Sequence, residues 1–536
     1  MSLCCRLFKR FLYFLAFFFL VVLLPGFPPQ TTFPFSPVDV GQPSELQGVL
    51  ELNGHLNGAE RFMEGRLHGP EHLLAIGNSI YTGIHGGEVI RINGDHITHV
   101  AKFGAPCEGA FEESKCGRPL GMALDNKKDH LIVADAYYGM WQVNLVNGKK
   151  QLLVSMQQDV QGATPRRPKI VNSVAVHSSG DIYWTDSSSD FGLDDGMFTM
   201  MANPSGRLVH YDRARNVSTA LIDELHFANG LLLSPGEEFV VVAETGAGRL
   251  RKYHLKGAKK GTSEVFLDKL PGHPDNLSPA EDGFWVPLVV PNDRENPSLL
   301  ISLAKVPLIR KFLLRTIYMV QTPFRLISDA FPNIYTQKIN HAIAHFETTS
   351  GLFGGRVTIL KVDWTGKIVA ALHATDGVLS SICHVLQVND YYYLGSPFQK
   401  YMGRVKVPQH MLSSVKKELP KETAAPPTTT PPPTTTPPPT TTTTTTQKPT
   451  TTQQQTTTTQ KPTTTTQKPT TTTQQQTTTT QKPTTTTPQP TKAPPKTPEE
   501  PKKESIPIRE DIPSDTKPPA APKLKVIKKG GEQGEL

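Results

Sequence analysis

Oxygen-bearing side chains recur just before apolar, strand-like runs at four widely separated points of the chain, 69–72, 170–173, 227–230 and 273–277. A repeated β unit that closes on itself brings equivalent positions to a common axis, so distant residues can surround one ion there. Carboxylate and amide oxygens without soft ligands suit Ca²⁺. The sequence therefore predicts a central calcium site with the ligands Glu71, Asn172, Asn229, Asp275 and Asn276.

The same residues could instead be ordinary turn residues, because Asn, Asp and Gly are common wherever a strand begins or ends. Their shared register favours the ligand interpretation, since Glu71, Asn172 and Asn229 each open the innermost strand of a repeated unit. The carboxylates of Glu71 and Asp275 would then balance the charge of the ion.

The elements that must position these residues are short strands separated by turns. Similar strands occur near residues 76–83, 131–136, 181–187, 238–245, 283–288 and 391–396. Their spacing of roughly 40 to 60 residues fits the blades of a propeller better than a sandwich. We therefore predict an all-β fold, a six-bladed β-propeller over residues 45–410.

Residues 298–327, in the fifth unit, have helical periodicity, with basic residues such as Lys305 and Arg310 between the apolar ones. This pattern predicts an amphipathic helical insertion. Two roles are open. The insertion is either a lid that rests on a membrane or gates a substrate, or a helix packed over the propeller face.

The N-terminus has the composition of a membrane-targeting segment. Basic residues in 1–10 precede an apolar run over 11–27, and the next basic residue is Arg61. The run lacks a small-x-small cleavage site, which favours an uncleaved signal anchor. The charge asymmetry places the N-terminus in the cytosol. We predict a single-pass type II protein of the plasma membrane, with an anchor helix before the propeller.

Residues 424–498 are almost entirely Thr, Pro, Gln and Lys, and residues 499–536 are rich in charge. Such segments cannot bury enough apolar surface to fold, so both are predicted to be disordered. Thr with interspersed Pro is typical of dense O-glycosylation, which predicts a mucin-like tail that offers glycans to lectins, with an unmodified linker as the alternative. Asn216 lies in a sequon and is a predicted N-glycosylation site.

The five cysteines divide between the predicted compartments. Cys107 and Cys116 bracket a short polar loop in the extracytoplasmic part, which favours a disulfide between them. Cys4 and Cys5 are either palmitoylation sites or plain thiols. Cys383 is predicted to be a small buried hydrophobe. The net charge of +8 lies largely at the N-terminus and in the tail, and we infer no nucleic-acid site from it.

Several phrases together resemble a known family: Gly-Pro-Glu71, Cys116-Gly-Arg-Pro-Leu-Gly, Val-Ala-Asp135, Tyr-Trp-Thr-Asp186, Val-Ala-Glu244 and Gly-His-Pro-Asp275-Asn276. Over residues 45–407 the chain resembles the strictosidine synthase-like proteins, especially the adipocyte plasma membrane-associated proteins. Its Thr-rich tail makes the whole layout similar to a surface mucin of that family. The resemblance implies a six-bladed propeller with axial calcium, and the five predicted ligands match the family's ligand positions.

The resemblance also implies ester chemistry. In the related paraoxonases, the ion binds the substrate carbonyl and a histidine dyad shuttles protons. That dyad is missing here, where residues 119–121 read Pro-Leu-Gly and the partner position falls near Ala136. Strictosidine synthesis is not expected, because residues 381–384 lack the required late glutamate. We expect weak, calcium-dependent hydrolysis of a small ester or lactone. The alternative is a non-catalytic surface glycoprotein for adhesion, lectin binding or immune recognition.

Histidines could replace the missing base. The ones considered are His177, His273, His341, His345 and His384. A lone histidine in a strand-rich domain is more often structural, so we expect none of them to be the base.

Overall fold

The computed structural model describes residues 3–348, 355–409 and 411. In these ranges the chain forms 25 β-strands and six α-helices. The strands build six antiparallel sheets, five of four strands and one of five. This architecture confirms the prediction of a mostly β protein and is compatible with a propeller. The predicted tail at 424–498 and the charged segment at 499–536 lie outside the described residues.

Neighbouring strands in each sheet follow one another in the chain, except at β1 and β19. The first sheet contains β2 (Leu73–Ile76), β3 (Ser79–Ile84), β4 (Glu88–Asn93) and β5 (His96–Lys102). The second sheet contains β6 (Pro119–Leu124), β7 (His130–Asp135), β8 (Gly139–Asn144) and β9 (Lys150–Val154). The third sheet contains β10 (Val171–Val176), β11 (Ile182–Asp186), β12 (Gly206–Asp212) and β13 (Val217–Leu225).

The fourth sheet contains β14 (Ala228–Leu233), β15 (Phe239–Glu244), β16 (Arg249–His254) and β17 (Ser263–Leu267). The fifth sheet contains β18 (Gly272–Pro274), β19 (Ser278–Ala280), β20 (Gly283–Pro291), β21 (Val357–Asp363) and β22 (Ile368–Ala374). The sixth sheet contains β1 (Glu60–Phe62), β23 (His384–Val388), β24 (Tyr391–Gly395) and β25 (Met402–Lys406). The repeated strands found in the sequence correspond to β3, β7, β11, β15, β20 and β24.

Alternating residues of one strand pack against the two neighbouring sheets. In β7, Leu131 and Val133 contact the first sheet, whereas Ile132 and Ala134 contact the third. Successive side chains of a strand point to opposite faces, so a strand buried on both faces is apolar throughout. This explains why the repeated strands read as continuous apolar runs.

The sheets pack in a closed cycle. Each shares an apolar core with the next sheet along the chain, and the sixth shares one with the first through Met402 and Ile80. The N-terminal strand β1 completes the sixth sheet by pairing with β25, with Glu60 opposite Arg404 and Phe62 opposite Met402. The two ends of the cycle are therefore joined by strand pairing.

Acid–arginine pairs recur between the second and third strands of two sheets. Asp186 lies opposite Arg207, with Oδ2 and Nη2 2.6 Å apart, and Glu244 lies opposite Arg249, with Oε2 and Nε 2.6 Å apart. Each arginine therefore pairs with the acid that ends the preceding strand. Both pairs are largely buried. Asp186 and Glu244, which belong to phrases that resemble the family, therefore stabilise their sheets through these ion pairs.

The helices are α1 (Leu3–Leu23), α2 (Glu113–Cys116), α3 (Gly196–Met201), α4 (Leu299–Leu303), α5 (Pro307–Ala330) and α6 (Ile334–Ala344). The last three form the insertion between β20 and β21, which is longer than the predicted range of 298–327. Leu314 of α5 and Ala344 of α6 pack with Phe198 and Met201 of α3. The insertion is therefore packed onto the sheet domain, as the second interpretation of its sequence proposed.

The N-terminal helix requires a correction. In the described part of the chain, no helix is long and apolar enough to cross a membrane. The helix that forms at the predicted anchor over 11–27 is α1, which includes the basic residues Arg6, Lys9 and Arg10 and ends at Leu23, before Pro25, so its bounds differ from the predicted ones. The type II orientation that depended on this anchor has no support from the structure.

A buried histidine makes the stability of the fold depend on pH. His226 is 3% exposed, and its Nε2 lies 3.1 Å from the carbonyl oxygen of Met200 in α3. Burial lowers the pKa of His226 from 6.5 to about 4. Below pH 6.5 the His226 side chain therefore binds a proton in the unfolded chain, whereas in the folded chain it stays neutral down to about pH 4. The folded state loses stability as pH falls through this window.

We expect His226→Gln to reduce this loss, since glutamine does not titrate. The full contribution of His226 is about 3 kcal/mol at pH 4. The measurement is the free energy of unfolding by denaturant at several pH values between 7 and 4. The matched control is His96→Gln in β5, which is exposed. An unchanged slope in His226→Gln would show that other groups dominate the acid sensitivity.

Candidate functional site

The structure gathers the predicted ligands around one cavity. The cavity has a volume of about 620 Å³, and Glu71, Asn172, Asn229 and Asp275 line it. Asn276, the fifth predicted ligand, is 1% exposed beside Asp275. Residues separated by two hundred positions in the sequence therefore meet at one place.

Strand register explains why these residues meet. Asn172 and Asn229 are the second residues of β10 and β14, Glu71 lies just before β2, and Asp275 directly follows β18. Each of these strands is the first of its sheet. Thr185 links two of the segments, because its Oγ1 donates to the carbonyl of Asn229 at 2.8 Å and accepts from the amide of Ser173 at 3.0 Å.

Two glycines allow the ligand-bearing segments to approach closely. A Cβ atom on Gly230 would lie 2.5 Å from the Cα of Asn276, and one on Gly395 would lie 2.1 Å from the carbonyl oxygen of Glu71. Neither position has room for a side chain. Gly230, which directly follows Asn229, is therefore required for the close packing of the site.

The oxygen atoms at the bottom of the cavity are unsatisfied. No described residue forms a hydrogen bond with these buried atoms: Asn172 Oδ1, Asn229 Oδ1, Asp275 Oδ1 and Asn276 Oδ1. Each unpaired buried polar group costs about 1–3 kcal/mol. Four such oxygens on residues at or beside one cavity suit a hard divalent cation, which prefers carboxylate and amide oxygen ligands. The residues present therefore fit calcium.

The two carboxylates of the site destabilise each other when they are charged. Burial, together with the nearby Glu113, raises the pKa of Glu71 to about 7, although Arg118 opposes this shift. Burial and the repulsion from Glu71 raise the pKa of Asp275 well above its usual range. A cation between the two acids would relieve both effects.

An arginine that the sequence did not assign neutralises part of this charge. Arg118 is 2% exposed, and its Nη2 lies 3.0 Å from Oε2 of Glu71. Its guanidinium also donates to the carbonyls of Gly69 and Pro397, at 3.1 and 3.0 Å. Arg118 is visible in the Cys116-Gly-Arg phrase, but the phrase does not reveal its partner, which lies in another sheet.

A second buried acid, Glu113 of α2, lies behind Arg118. Its Oε1 is 3.6 Å from Nε of Arg118 and 3.0 Å from Nδ1 of His85, and its Oε2 accepts from the Tyr137 hydroxyl at 3.2 Å. Burial alone would raise its pKa, but His345 and His85 hold the pKa of Glu113 well below its usual range. Glu113 is therefore a fixed negative charge at the edge of the cavity.

The disulfide helps to place Glu113. Cys107 and Cys116 are bonded, with their Cα atoms 5.6 Å apart, which confirms the predicted pairing. The loop that this bond closes contains Glu113. Cys383 is a buried free cysteine, as predicted, and burial raises the pKa of its thiol well above the usual range.

Three histidines of the described chain line the cavity. Both ring nitrogens of each face a polar partner: the Pro397 carbonyl and Glu113 for His85, the Thr245 carbonyl and the Ser298 hydroxyl for His273, and the Glu347 amide and Glu113 for His345. A general base needs a free lone pair directed at the substrate. His273 uses both ring nitrogens in hydrogen bonds, whereas Nδ1 of His85 and Nε2 of His345 form none among the described residues.

The remaining predicted residues lie away from the cavity lining. His177 pairs with Glu237 at 3.0 Å, and His341 contacts Glu347 at 2.9 Å. The His384 ring is tilted against that of His72, with the ring centroids 4.3 Å apart. Asn216 is exposed in the turn between β12 and β13. N-glycosylation of Asn216 stays a prediction.

The rest of the cavity is largely apolar. Its walls come from α3, the residue before β14 and the insertion, and include Met197, Met200, Phe227, Leu299, Leu300 and Phe346. The insertion therefore covers part of the opening. An apolar cavity with a polar bottom suits a ligand that has one polar group and a hydrophobic body.

Comparison with known proteins gives consistent results. Residues 172–258 match the strictosidine synthase family model, and residues 48–92 match the strictosidine synthase-like N-terminal model. The chain is 53% identical to the adipocyte plasma membrane-associated protein Hemomucin of Drosophila melanogaster, over 75% of this chain and 69% of that protein. It is 32% identical to adipocyte plasma membrane-associated protein of Gallus gallus, over 70% of this chain and 84% of that protein.

Among solved structures, a gluconolactonase from Xanthomonas campestris aligns with a TM-score of 0.40 and 14% identity, over 71% of this chain and 99% of that one. A similarity this weak establishes no function.

We expect Arg118→Met to lower the free energy of unfolding, because it leaves Glu71 and Glu113 buried without their counter-charge. Breaking a buried ion pair on one side costs about 3–5 kcal/mol. The measurement is denaturant unfolding with a chelator present, so that metal binding does not compensate.

The matched control is Arg61→Met, because Arg61 and Glu64 form an exposed pair at 3.1 Å. Such pairs contribute less than about 1 kcal/mol. Equal effects of the two substitutions would contradict the role assigned to Arg118.

Proposed function

Because the chain belongs to the adipocyte plasma membrane-associated protein family of strictosidine synthase-like proteins, we propose that it is a six-bladed, calcium-binding propeller that hydrolyses small esters or lactones. The observation that carries this proposal is the set of buried, unpaired oxygen atoms at the bottom of an otherwise apolar cavity. The closed cycle of six sheets supports the assignment of six blades.

In this proposal the ion is held by Glu71, Asn172, Asn229, Asp275 and Asn276. When bound, calcium supplies a positive charge that polarises a carbonyl group and stabilises an oxyanion. Arg118 lines the same cavity and adds a second positive charge at its polar end. The contact between Arg118 and Glu71 holds this carboxylate in place.

The apolar walls would bind the hydrophobic part of a substrate. Phe227 and Met200 lie on the sheet side, and Leu300 and Phe346 come from the insertion. Enclosure by these residues excludes water, which strengthens the electrostatic interactions at the cavity bottom. The substrate class is therefore an ester or lactone with an apolar body.

A second candidate function is calcium-dependent binding without catalysis. The hydrogen bonds of His273 favour it, because the Thr245 carbonyl and the Ser298 hydroxyl engage both ring nitrogens of this cavity histidine and leave it no lone pair for a substrate proton. In this case the protein would be a surface glycoprotein whose cavity binds a partner or ligand.

The cellular role is proposed from the relatives and the composition. The relatives are named as plasma membrane-associated proteins, and we propose membrane association for this chain as well. Exposed side chains of α1 such as Leu7, Phe8 and Phe11 provide an apolar surface for it. The Thr-rich segment 424–498 would be a mucin-like tail that presents glycans to lectins.

We expect calcium to stabilise the protein, because it satisfies the unpaired oxygens and the two acids. A ligand present at 100 times its Kd adds about 2.7 kcal/mol. The measurement is Tm with calcium and with a chelator. Asn229→Ala should lose most of the calcium-dependent shift, whereas Asn126→Ala, an exposed control, should keep it. A Tm that ignores chelation would contradict the proposed site.

We expect weak hydrolysis of aryl esters and lactones that depends on calcium. The rates should be well below those of enzymes with a positioned base. Such a base typically increases the rate of the reaction by about 10²–10⁴-fold. Asp275→Ala should abolish activity, because it removes a carboxylate ligand. His177→Ala and His384→Ala should change kcat/KM less than about twofold, as expected of groups that do not touch the substrate.

Activity that survives both chelation and Asp275→Ala would come from another site. Calcium-dependent stability without any hydrolysis would favour the second candidate function.

A further inference from the structure

We propose that His68, His341, His345 and Glu347 form a second metal site, for Zn²⁺ or a similar transition-metal ion, that joins the helical insertion to the segment before β2. This site is separate from the central oxygen ligands and does not depend on the hydrolytic function. One ligand atom from each of His341, His345 and Glu347 lies within 4.8 Å of the others.

The local sequence brings three donors to one side of a helix end. His341 and His345 are four residues apart where α6 ends, so their side chains share a face. Their rings stack with centroids 4.2 Å apart. Glu347 follows the helix, and its Oε2 lies 2.9 Å from Nε2 of His341. The motif His-x₃-His-x-Glu therefore directs two imidazoles and one carboxylate to the same place.

The fourth donor comes from a distant part of the chain. Nε2 of His68 lies 3.8 Å from Oε1 of Glu347, and this nitrogen is buried without a hydrogen-bond partner among the described residues. The two oxygens of one carboxylate thus face imidazoles from two segments. An ion placed between them would replace the hydrogen bond between His341 and Glu347 and would bring the His68 nitrogen, now 3.8 Å away, to the same centre.

The protonation of His345 suits a ligand. Its Nδ1 lies 3.1 Å from the backbone N–H of Glu347, and a backbone amide can only donate. Nδ1 is therefore the unprotonated nitrogen, and a metal ion would take over this lone pair. The opposite nitrogen, Nε2, lies 3.5 Å from Oε2 of Glu113. A carboxylate behind the distal nitrogen is the usual arrangement that orients a metal-binding histidine.

The donor set selects the kind of metal. Imidazole nitrogens with one carboxylate bind zinc in tetrahedral sites, with distances of about 2.0–2.2 Å. Calcium prefers oxygen ligands throughout, as in the central cavity. The two sites would therefore bind different metals.

Two other groups of neighbouring titratable side chains lack this combination of donors. Asp125, Asp129 and His130 also lie close together, but Oδ1 of Asp125 accepts two backbone amides of its own turn at 3.2 Å. His177 and Glu237 form a single pair at 3.0 Å. Only the cluster at the end of α6, among these three, combines several imidazoles from two segments.

The position of the site gives it a structural consequence. His345 and Phe346 line the cavity, while His68 lies three residues before Glu71. A bound ion would fix the end of the insertion against the edge of the central site. Zinc would therefore hold the cavity cover in place.

The test is metal binding by the full chain, prepared without a histidine tag and with Cys4 and Cys5 alkylated so that thiols bind no zinc. We expect one zinc ion per chain by isothermal titration, and millimolar calcium should not displace it. Cobalt, used as a spectroscopic probe, should give visible absorption bands typical of a four-coordinate site.

His341→Ala and Glu347→Gln should weaken zinc binding at least 100-fold, and His68→Ala about tenfold or more, as is typical when a ligand or its support is removed. His177→Ala is the matched control and should bind zinc as the parent does. Glu347→Gln preserves side-chain shape, so it separates loss of a ligand from misfolding.

Three outcomes would overturn the proposal: no zinc uptake by the parent chain, equal zinc affinity in Glu347→Gln and the parent, or displacement of zinc by calcium. The last would place the ion at the central oxygens. Because zinc binding is measured without any substrate, failure here would leave the proposed hydrolysis untouched.

Discussion

The organisation of the site depends on the burial of like charges. Glu71 and Asp275 are both almost inaccessible to water, and burial together with the repulsion from Glu71 raises the pKa of Asp275. Taking one carboxylate from water into the interior costs several kcal/mol unless a cation accompanies it. Arg118 supplies one positive charge, and the unpaired amide oxygens around Asp275 prepare a place for another. The charge balance thus accounts for the arginine, the amides and the proposed ion together.

This concentration of polar groups is possible because the surrounding sheets are held rigidly by apolar contacts. Alternating residues of the inner strands contact the sheets on both sides, so no sheet can shift without disturbing two cores. Glycines at 230 and 395 allow the backbone segments to meet at the site. The fold therefore provides precise positions at which unsatisfied polar groups can be maintained.

Some features of the site can be found in the sequence because they depend on local patterns. Asn172 and Asn229 were recognisable because each stands at the same point of a repeated strand unit, and the disulfide because Cys107 and Cys116 are close in sequence. The contacts of Arg118 could not be predicted, because a side chain in one sheet meets Glu71 before another, and such long-range pairing leaves no local pattern.

Errors in the sequence interpretation have physical causes too. The anchor helix was placed at 11–27, whereas α1 begins among the preceding basic residues and ends at Leu23, before Pro25. The insertion was placed at 298–327, whereas helical structure continues to Ala344, because α6 has a weaker apolar pattern than α5. Helix boundaries are set by capping and tertiary contacts as well as by periodicity.

The pairing of β1 with β25 has a mechanical consequence. Since the strands are antiparallel, the residue where the chain enters β1, Glu60, lies beside Arg404, close to where the chain leaves β25. Tension between the two ends of the domain would load this pair from one side and peel it open one hydrogen bond at a time. At the outer end of this pair the Arg404 guanidinium binds Glu60 at 2.6 Å and lies 4.7 Å above the Phe62 ring. Once the contacts before β1 have yielded, the seam would open from this end like a zipper instead of shearing along its whole length.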